Sequence, residues 1–444
     1  MRLSEWQNTS FEAHKDKLNN FVNYLSSVWQ NRNRYIESPE EISEEEQQEE
    51  KIQRQRFFNF TVDGKIAARN YVGVVQYEDI RMEVYPKIFA GDHTEPTKLW
   101  QQNLLYWLSY CSKIRFPFSL ADISSSAFND FLELLIYIFA NYTEEIISNQ
   151  PFQTYQTVEE ETTFLKGRLS FDNYTKHNLI TGKWQHFYCM HEPFVYDNLF
   201  NRIVKYITKR LAAISRHQPN IEKLNSLLFL LHDVSDIPCT AKDCDKVKLN
   251  PLFEDHKHIL ALCKLYLSNQ VIDTNDESSR NFCFLVPMEY VFEDFIFGFL
   301  TTHWPSLNTR GQSTGYLALN QNKEVFQIKN DLYIPDQLIV DTKYKSRSTE
   351  DGLKAGVSQN DMYQMISYAL RRNCSNILML YPAMTNGLHS PSAFNVPSAM
   401  LLKEIDIQIR NIDIRFDDLE QADQVMKWRV KHLVSHWSFF NNKL

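Results

Sequence analysis

Much of the chain has apolar residues at intervals of three or four positions, which is the spacing of a helix with one buried face. Segment 129–147 is strongly apolar and predicts a core helix. Pro287 begins another helix, because proline suits the first turn. The pattern predicts helices over residues 10–35, 97–114, 129–147, 197–217, 256–270, 287–304 and about 358–371.

A different period, in which apolar and polar residues alternate, predicts strands in two parts of the chain. Residues 57–89 alternate in this way around Asp63-Gly64, a dipeptide that favours a tight hairpin, so they predict a small antiparallel β unit. Strand-like segments return later in the chain, where they lie between helices and predict a compact α/β module. These segments are residues 325–329, 331–334, 338–344 and 376–381.

A polar stretch at residues 273–281 has no apolar side chain and is the best candidate for a domain boundary. The chain has 444 residues, which favours two or three domains at roughly 150 residues each. We therefore predict an α+β multidomain protein. Its parts are an N-terminal helix and acidic linker (1–56), a β unit plus helical region (57–275) and a C-terminal α/β domain (276–444).

Charge and cysteine usage narrow the functional classes. The formal net charge is −8, so any DNA binding must depend on local basic clusters or on a partner. Seven scattered cysteines indicate free thiols in a reducing, cytoplasmic compartment. Only Cys239 and Cys244 lie close together, which gives too few ligands for a zinc site. No signal peptide is visible, and no segment approaches the ~18 apolar residues of a membrane span.

The segment "LIVDTKYK" (338–345) suggests chemistry at the end of a strand. Alternate residues of a strand share a face, so Asp341 and Lys343 point the same way. A carboxylate beside a lysine can hold a divalent metal and orient a water molecule, as phosphodiester hydrolysis requires. An ordinary surface ion pair is the alternative reading of this short pattern.

A metal site needs a second carboxylate, and the turn decides which one is available. A three-residue loop at 335–337 pairs residue 334 with 338 and places Asp331 beside Asp341. A two-residue loop would put these two side chains on opposite faces. Asp336 would lie at the tip of the turn, about 16 Å from Asp341 at about 3.3 Å per residue.

Two neighbouring helices carry further candidate residues. Gln364 and Tyr368 are four positions apart, so they share one helix face and can reach the acids or a phosphate. Glu293 lies among apolar residues of the preceding helix, where an acid requires a partner.

The order of an acid, a hairpin, D-T-K and Q-x-x-x-Y resembles the PD-(D/E)xK nucleases of the RecB-like branch. A closer resemblance is to the McrC family, and it rests on the segments "IVDTKYK", "DMYQMISYA", "LKGRLSF" and "ARNYVGVVQYEDIRMEVYPKI". The members of this family are the nuclease subunits of modification-dependent McrBC restriction systems. The resemblance covers most of residues 57–385. The first acid of the family usually follows a proline, whereas here Asn330 precedes Asp331.

The resemblance implies a DNA endonuclease that depends on Mg²⁺ or Mn²⁺, with a PD-(D/E)xK fold in residues 276–444. Asp331, Asp341 and the backbone carbonyl of Thr342 would bind the metal, with Glu293 as a further candidate ligand. Lys343 would position the attacking water, while Gln364 and Tyr368 would orient the site. Candidate contacts to the DNA backbone are Lys345, Arg347, Arg371 and Arg372.

The resemblance also implies partners: double-stranded DNA containing methylcytosine, and a McrB-like AAA+ GTPase ring that docks on the N-terminal half. The chain itself has no G-x-x-x-x-G-K-[ST] motif, so a P-loop nucleotide site is not expected. Candidate ring contacts are the basic residues Lys65, Arg69, Arg81 and Lys87. The alternatives are a stand-alone RecB-like nuclease and a non-catalytic activating or scaffolding subunit.

Overall fold

The computed structural model describes most of the chain, and it divides into two compact units. The described residues within Met1–Leu134 and Ser279–Leu444 form the first unit, and those within Leu135–Ser268 form most of the second. The described residues are 1–7, 9–10, 15–31, 57–61, 65–90, 99–111, 130–268, 281–321, 323–347, 352–384, 389–397 and 404–437. The domain boundary predicted at residue 275 lies outside them.

Helices and strands both contribute heavily, as an α+β protein requires. The strands are β1 (Arg2–Ser4), β2 (Thr9–Ser10), β3 (Phe58–Phe60), β4 (Lys65–Ala68), β5 (Tyr71–Tyr77), β6 (Ile80–Tyr85), β7 (Thr154–Tyr155), β8 (Val158–Thr162), β9 (Arg168–Leu169), β10 (Phe187–His191), β11 (Phe194–Val195), β12 (Phe282–Pro287), β13 (Arg310–Asn320), β14 (Lys323–Ile334), β15 (Leu338–Thr342), β16 (Asn376–Pro382), β17 (Ser392–Val396) and β18 (Ile405–Ile412).

Each predicted helical segment contains a helix. The helices are α1 (Lys15–Asn31), α2 (Leu99–Tyr110), α3 (Phe131–Asn149), α4 (Phe171–Tyr174), α5 (Leu199–Ile214), α6 (Gln218–Leu230), α7 (Ala241–Cys244), α8 (Glu254–Ser268), α9 (Met288–His303), α10 (Gln359–Arg372) and α11 (Ala422–Val434). Among these described helices, none has both the length and the apolar character needed to cross a bilayer.

The N-terminal β unit of the first compact unit contains two small sheets. Their strand orders are β1-β6-β5-β12 and β2-β4-β3. Helix α1 covers them with Phe21, Leu25 and Trp29, which share a buried cluster with Val84 and Leu285. Strand β12 pairs antiparallel with β5, so a strand from the later part of the chain completes a sheet that begins at the N-terminus.

The candidate site lies on a six-stranded sheet of the same unit, with strand order β13-β14-β15-β16-β18-β17. Strands β15, β16 and β18 are parallel, while β13 and β14 join them in antiparallel fashion. Helix α10 packs on one face, where Met365, Tyr368 and Ala369 share a buried cluster with Ile339 and Met379 of the sheet.

The strand predictions for this sheet were only partly correct. Segments 325–329 and 331–334 are parts of one continuous strand, β14. Strand β13 was missed because it is an edge strand with two glycines and mostly exposed side chains, so it has little apolar alternation. Strands β17 and β18 and helix α11 were also missed, since they lie largely beyond the recognised motifs.

Helix α9 carries Glu293 and approaches α2 closely. A Cβ atom built on Gly298 would lie 1.9 Å from the backbone oxygen of Tyr110. Only glycine permits this contact without movement of the backbone. The glycine therefore fixes the distance between these two helices.

The second compact unit combines helices with two small sheets, whose strand orders are β8-β10-β9 and β11-β7. Helices α5, α6 and α8 contribute fully buried residues such as Ile203, Leu227 and Leu262. This unit also exposes many large apolar side chains, namely Tyr155, Phe164, Leu165, Phe171, Leu179, Ile180, Trp184, Phe194, Phe229, Ile237 and Leu252.

Candidate active site on the β14–β15 hairpin

The hairpin has the three-residue loop that places Asp331 beside Asp341. Ile334 pairs with Leu338, and Leu332 pairs with Val340, so continuing the register sets Asp331 opposite Asp341. Asp336 has the left-handed φ of 59° that such a loop needs, and it lies exposed at the turn. A two-residue loop, which would put Asp331 and Asp341 on opposite faces of the hairpin, is therefore excluded.

Both aspartates face the side of the sheet that α10 covers. Tyr333 and Ile339 belong to the cluster under α10, and residues two positions along each strand share their faces. Asp331 is fixed across the hairpin, because its Oδ2 accepts hydrogen bonds from Thr342 N at 2.7 Å and Thr342 Oγ1 at 2.9 Å.

Asp341 is a fully buried acid with an unusual environment. Neither of its carboxylate oxygens accepts a well-formed hydrogen bond within the described part of the chain. Lys343 Nζ lies 3.1 Å from Oδ2 as an ion pair. Burial, and next the charge of Asp331, raise the pKa of Asp341 to about 7, although Lys343 opposes this.

Lys343 is held by a chain of hydrogen bonds that ends on β14. Its Nζ donates to Gln364 Oε1 at 3.1 Å, and Gln364 Nε2 donates to the Tyr368 hydroxyl at 2.6 Å. That hydroxyl donates to the backbone oxygen of Lys329 at 2.6 Å. Burial lowers the pKa of Lys343, but Asp341 and Asp331 outweigh burial and leave it above its ordinary value, so the ammonium stays charged.

Glu293 lies near enough to Asp331 to feel its charge. Gln312 Nε2 donates to Glu293 Oε1 at 3.3 Å. Burial, and next the charge of Asp331, raise the pKa of Glu293 to about 8. In the described residues, no group of three or more histidine, cysteine, aspartate or glutamate side chains is arranged to hold a metal ion. Asp331 and Asp341 remain the predicted metal ligands, with Glu293 as a further candidate.

Sequence reasoning missed Asp361, which extends the charged cluster. Its Oδ2 lies 2.6 Å from Lys345 Nζ, and its Oδ1 lies 3.9 Å from Lys343 Nζ. Asp361 is three residues before Gln364 on α10, so helical spacing already put them on one face. That spacing was the signal available in the sequence.

The candidate DNA contacts differ in how accessible they are. Arg347 is only 2% exposed, and it donates to backbone oxygens of Ala355 and Ser390 and to Asn411 Oδ1. Its guanidinium therefore holds the protein interior together, and the prediction that it contacts DNA is withdrawn. Lys345 remains partly exposed, although it is paired with Asp361.

The two arginines at the end of α10 hold the edge strand β13. Arg371 Nε donates to the Tyr316 oxygen at 2.7 Å. Arg372 donates to the Ser313 oxygen at 2.7 Å and to Asn330 Oδ1 at 2.9 Å. Both guanidinium groups therefore already have protein partners, so a contact to DNA would be an additional role.

Comparison with known proteins gives a family and a fold. Residues 66–382 match the family described as McrBC 5-methylcytosine restriction system component. The search of curated proteins found no match.

Two solved structures resemble the whole or most of the chain. The first is a chain in the refined half-complex from the tetradecameric assembly of Thermococcus gammatolerans McrB AAA+ hexamers with bound McrC. Its TM-score is 0.68, and its sequence is 17% identical. The match covers 97% of this chain and 99% of that chain. A chain in the cryo-EM structure of the Thermococcus gammatolerans McrBC complex has a TM-score of 0.52 and 18% identity, with 83% and 99% covered. At these identities the likeness concerns the fold alone.

Proposed function

Because this chain belongs to the family of McrBC 5-methylcytosine restriction system components, we propose that it is the McrC-type, DNA-cleaving subunit of such a system. The observation that carries the proposal is the Asp341–Lys343 pair. Asp341 is buried without a well-formed hydrogen bond, and Lys343 is aimed by Gln364 beside it. Asp341 Oδ2 is paired with Lys343, but Oδ1 is buried without a partner among the described residues, which is costly and supports a missing ligand there. The fold would then be a PD-(D/E)xK nuclease domain.

The donor set at this site fits a hard divalent cation. Asp331, Asp341 and the backbone carbonyl of Thr342 offer oxygen atoms only, which Mg²⁺ prefers and Mn²⁺ accepts. A positive charge there would relieve the repulsion between the two aspartates, which adds to the effect of burial in raising the pKa of Asp341. Bound at these atoms, the metal supplies Lewis acidity for phosphodiester hydrolysis.

The protein's own side chains supply position and charge. Lys343 remains protonated, so it can bind the attacking water and stabilise the negative charge that develops on the phosphate. Gln364 and Tyr368 fix the direction of the Lys343 ammonium through the hydrogen bonds that end on Lys329. They act through Lys343 and are therefore positioning residues. Lys345 is the candidate contact to the DNA backbone.

The partner that we propose is a McrB-like AAA+ GTPase ring, bound through the N-terminal half. The second unit supports this, because its exposed large apolar side chains are typical of a protein interface. Three of the four predicted ring contacts are less suitable, because they already have partners within the protein. Arg69 donates to Asn59 Oδ1 at 2.6 Å, Arg81 is paired with Asp130 at 2.6 Å, and Lys87 donates to the backbone oxygen of Tyr344.

We place this activity in the cytoplasm, which is supported by the free thiols of all seven cysteines. A stand-alone nuclease and a non-catalytic scaffold are the alternatives. They differ from the proposal in whether a ring is needed and in whether DNA is cut at all.

The test is cleavage of 5-methylcytosine-containing DNA by the purified chain, with and without its AAA+ partner, in Mg²⁺ or in a chelator. We expect cutting only with the partner, GTP and Mg²⁺. Lys343→Ala should remove cutting but retain ring binding, because the ammonium acts on the substrate whereas ring binding is assigned to the N-terminal half. Cutting without the ring would favour the stand-alone nuclease. No cutting in any condition, with ring binding intact, would favour the scaffold.

A further inference from the structure

Lys343 stands where its strand leaves the sheet. Strand β15 ends at Thr342, and Lys343 N still donates to the backbone oxygen of Leu380 at 2.9 Å. The next residue, Tyr344, is past the end of the β15–β16 ladder, whose last pair is Thr342 with Leu380. Lys343 O accepts a hydrogen bond from Lys345 N at 2.8 Å, so beyond Lys343 the backbone is held only locally and by whatever fixes Tyr344.

Two charged residues from the N-terminal part of the first unit hold Tyr344. The Tyr344 hydroxyl donates to Glu5 Oε2 at 2.9 Å, and the backbone N of Lys87 donates to the same oxygen at 2.8 Å. Lys87 Nζ donates to the backbone oxygen of Tyr344 at 2.9 Å and lies 4.4 Å from the centre of its ring. Glu5 and Tyr344 are both buried. The side chain and the backbone of Tyr344 are thus both fixed.

We infer that Glu5 and Lys87 are positioning residues for DNA cleavage, because they hold Tyr344 and thereby fix the backbone that carries Lys343. This inference rests on the proposed nuclease function. Neither residue touches the reacting atoms, and neither belongs to the sheet that carries the site. The N-terminal segment would therefore help to order the active-site residues at the end of β15, which lie more than three hundred residues away in the sequence.

The chemical nature of the contact favours a positioning role over simple stabilisation. Ionisable side chains taken out of water, such as the Glu5 carboxyl and the partly buried Lys87 ammonium, are seldom more stabilising than apolar residues of the same volume, because they lose their hydration. Their hydrogen bonds are directional, however, and so they define one location for Tyr344. A displacement of about 1 Å at a catalytic group can lower a rate about 100-fold.

The experiment compares Glu5→Ala with Glu5→Gln in the complete complex with the AAA+ ring. Alanine removes the acceptor of both hydrogen bonds, whereas glutamine keeps an oxygen that can accept them. We expect Glu5→Ala to lower kcat by about 10- to 100-fold. The KM for DNA and the affinity for the ring should not change. Glu5→Gln should restore most of the rate.

Arg2→Ala is the matched control, because Arg2 lies on the same N-terminal segment and pairs with Glu83, not with Tyr344. It should cut at the wild-type rate. Should Glu5→Ala fold poorly, Tyr344→Phe removes only the hydroxyl and should lower kcat several-fold without a change in KM.

The outcomes separate this inference from the function on which it rests. If the wild-type complex does not cut DNA, the proposed function fails and the inference fails with it. If the wild type cuts and Glu5→Ala or Tyr344→Phe cuts with the same kcat, the inference alone is overturned. If Glu5→Ala lowers kcat, ring binding and the melting temperature together, and Glu5→Gln restores none of them, the role of Glu5 is purely structural. That result would also overturn the inference.

Discussion

Glu5 is a buried acid outside the candidate site whose ionisation affects stability. Burial raises its pKa to about 7, although Lys87 and the Tyr344 hydroxyl act in the opposite direction, while the charge of Glu289 adds to the increase. The ordinary value is 4.5. Between these two values the unfolded chain loses the proton before the folded protein does, so rising pH destabilises the folded state.

Replacing Glu5 with a residue that cannot ionise should remove this destabilisation at higher pH. Glu5→Gln cannot ionise, so its free energy of unfolding relative to the wild type should increase as the pH rises from about 4.5 to about 7, by up to about 3 kcal/mol. Urea unfolding of both proteins at several pH values measures this difference. Parallel pH profiles for wild type and variant would contradict the prediction.

Single residues also show what the sequence could not reveal. Asp331, Asp341 and Lys343 could be selected because the hairpin register depends only on local alternation and loop length. Arg347 was misjudged because its partners Ser390 and Asn411 come from distant parts of the chain. Burial of a charged side chain by such long-range contacts leaves no local pattern.

At the scale of elements, the contact between α9 and α2 is the most sharply constrained. Gly298→Ala would place a methyl group 1.9 Å from the Tyr110 backbone oxygen, so the helices must separate. We expect a loss of about 1–3 kcal/mol in the free energy of unfolding. Gly352→Ala is the control, because a Cβ there meets no atom of the described residues within 4 Å. Equal stability of the two variants in urea unfolding would contradict this packing.

The elements that were predicted and those that were missed differ in burial. Helices such as α5 have a buried stripe that produces a clear period, and the parallel strand β16 forms a continuous apolar run. Strand β13 is largely exposed, so no apolar alternation marks it. The pairing of β12 with β5 joins segments about two hundred residues apart, and no local signal encodes it.

At the scale of the whole molecule, the exposed apolar side chains of the second unit should determine binding to the ring. Ile180 is 75% exposed and Trp184 67% exposed, so replacing both by serine should leave the core intact. We expect the double variant to bind the AAA+ ring at least about 10-fold more weakly, because exposed aromatic and aliphatic side chains often dominate interfaces. Pull-down and titration of the ring against the full chain measure this.

The matched control for that surface is Leu353→Ser, because Leu353 is 97% exposed and belongs to the first unit. It should bind the ring like the wild type. Should the double variant bind normally while Leu353→Ser binds weakly, the ring would dock on the first unit, and the division of roles between the units would be wrong.

The central claim is that Asp341 takes part in DNA cleavage and that Asp336 does not, and the same substitution at each of these two aspartates tests this directly. Asp341 is buried beside Lys343, whereas Asp336 is exposed at the turn. The measurement is the rate at which the complete complex cuts 5-methylcytosine-containing DNA in Mg²⁺, for Asp341→Asn and Asp336→Asn. We predict no cutting above background for Asp341→Asn, with ring binding retained, and near wild-type cutting for Asp336→Asn. Wild-type cutting by Asp341→Asn, or loss of cutting in Asp336→Asn alone, would contradict the account.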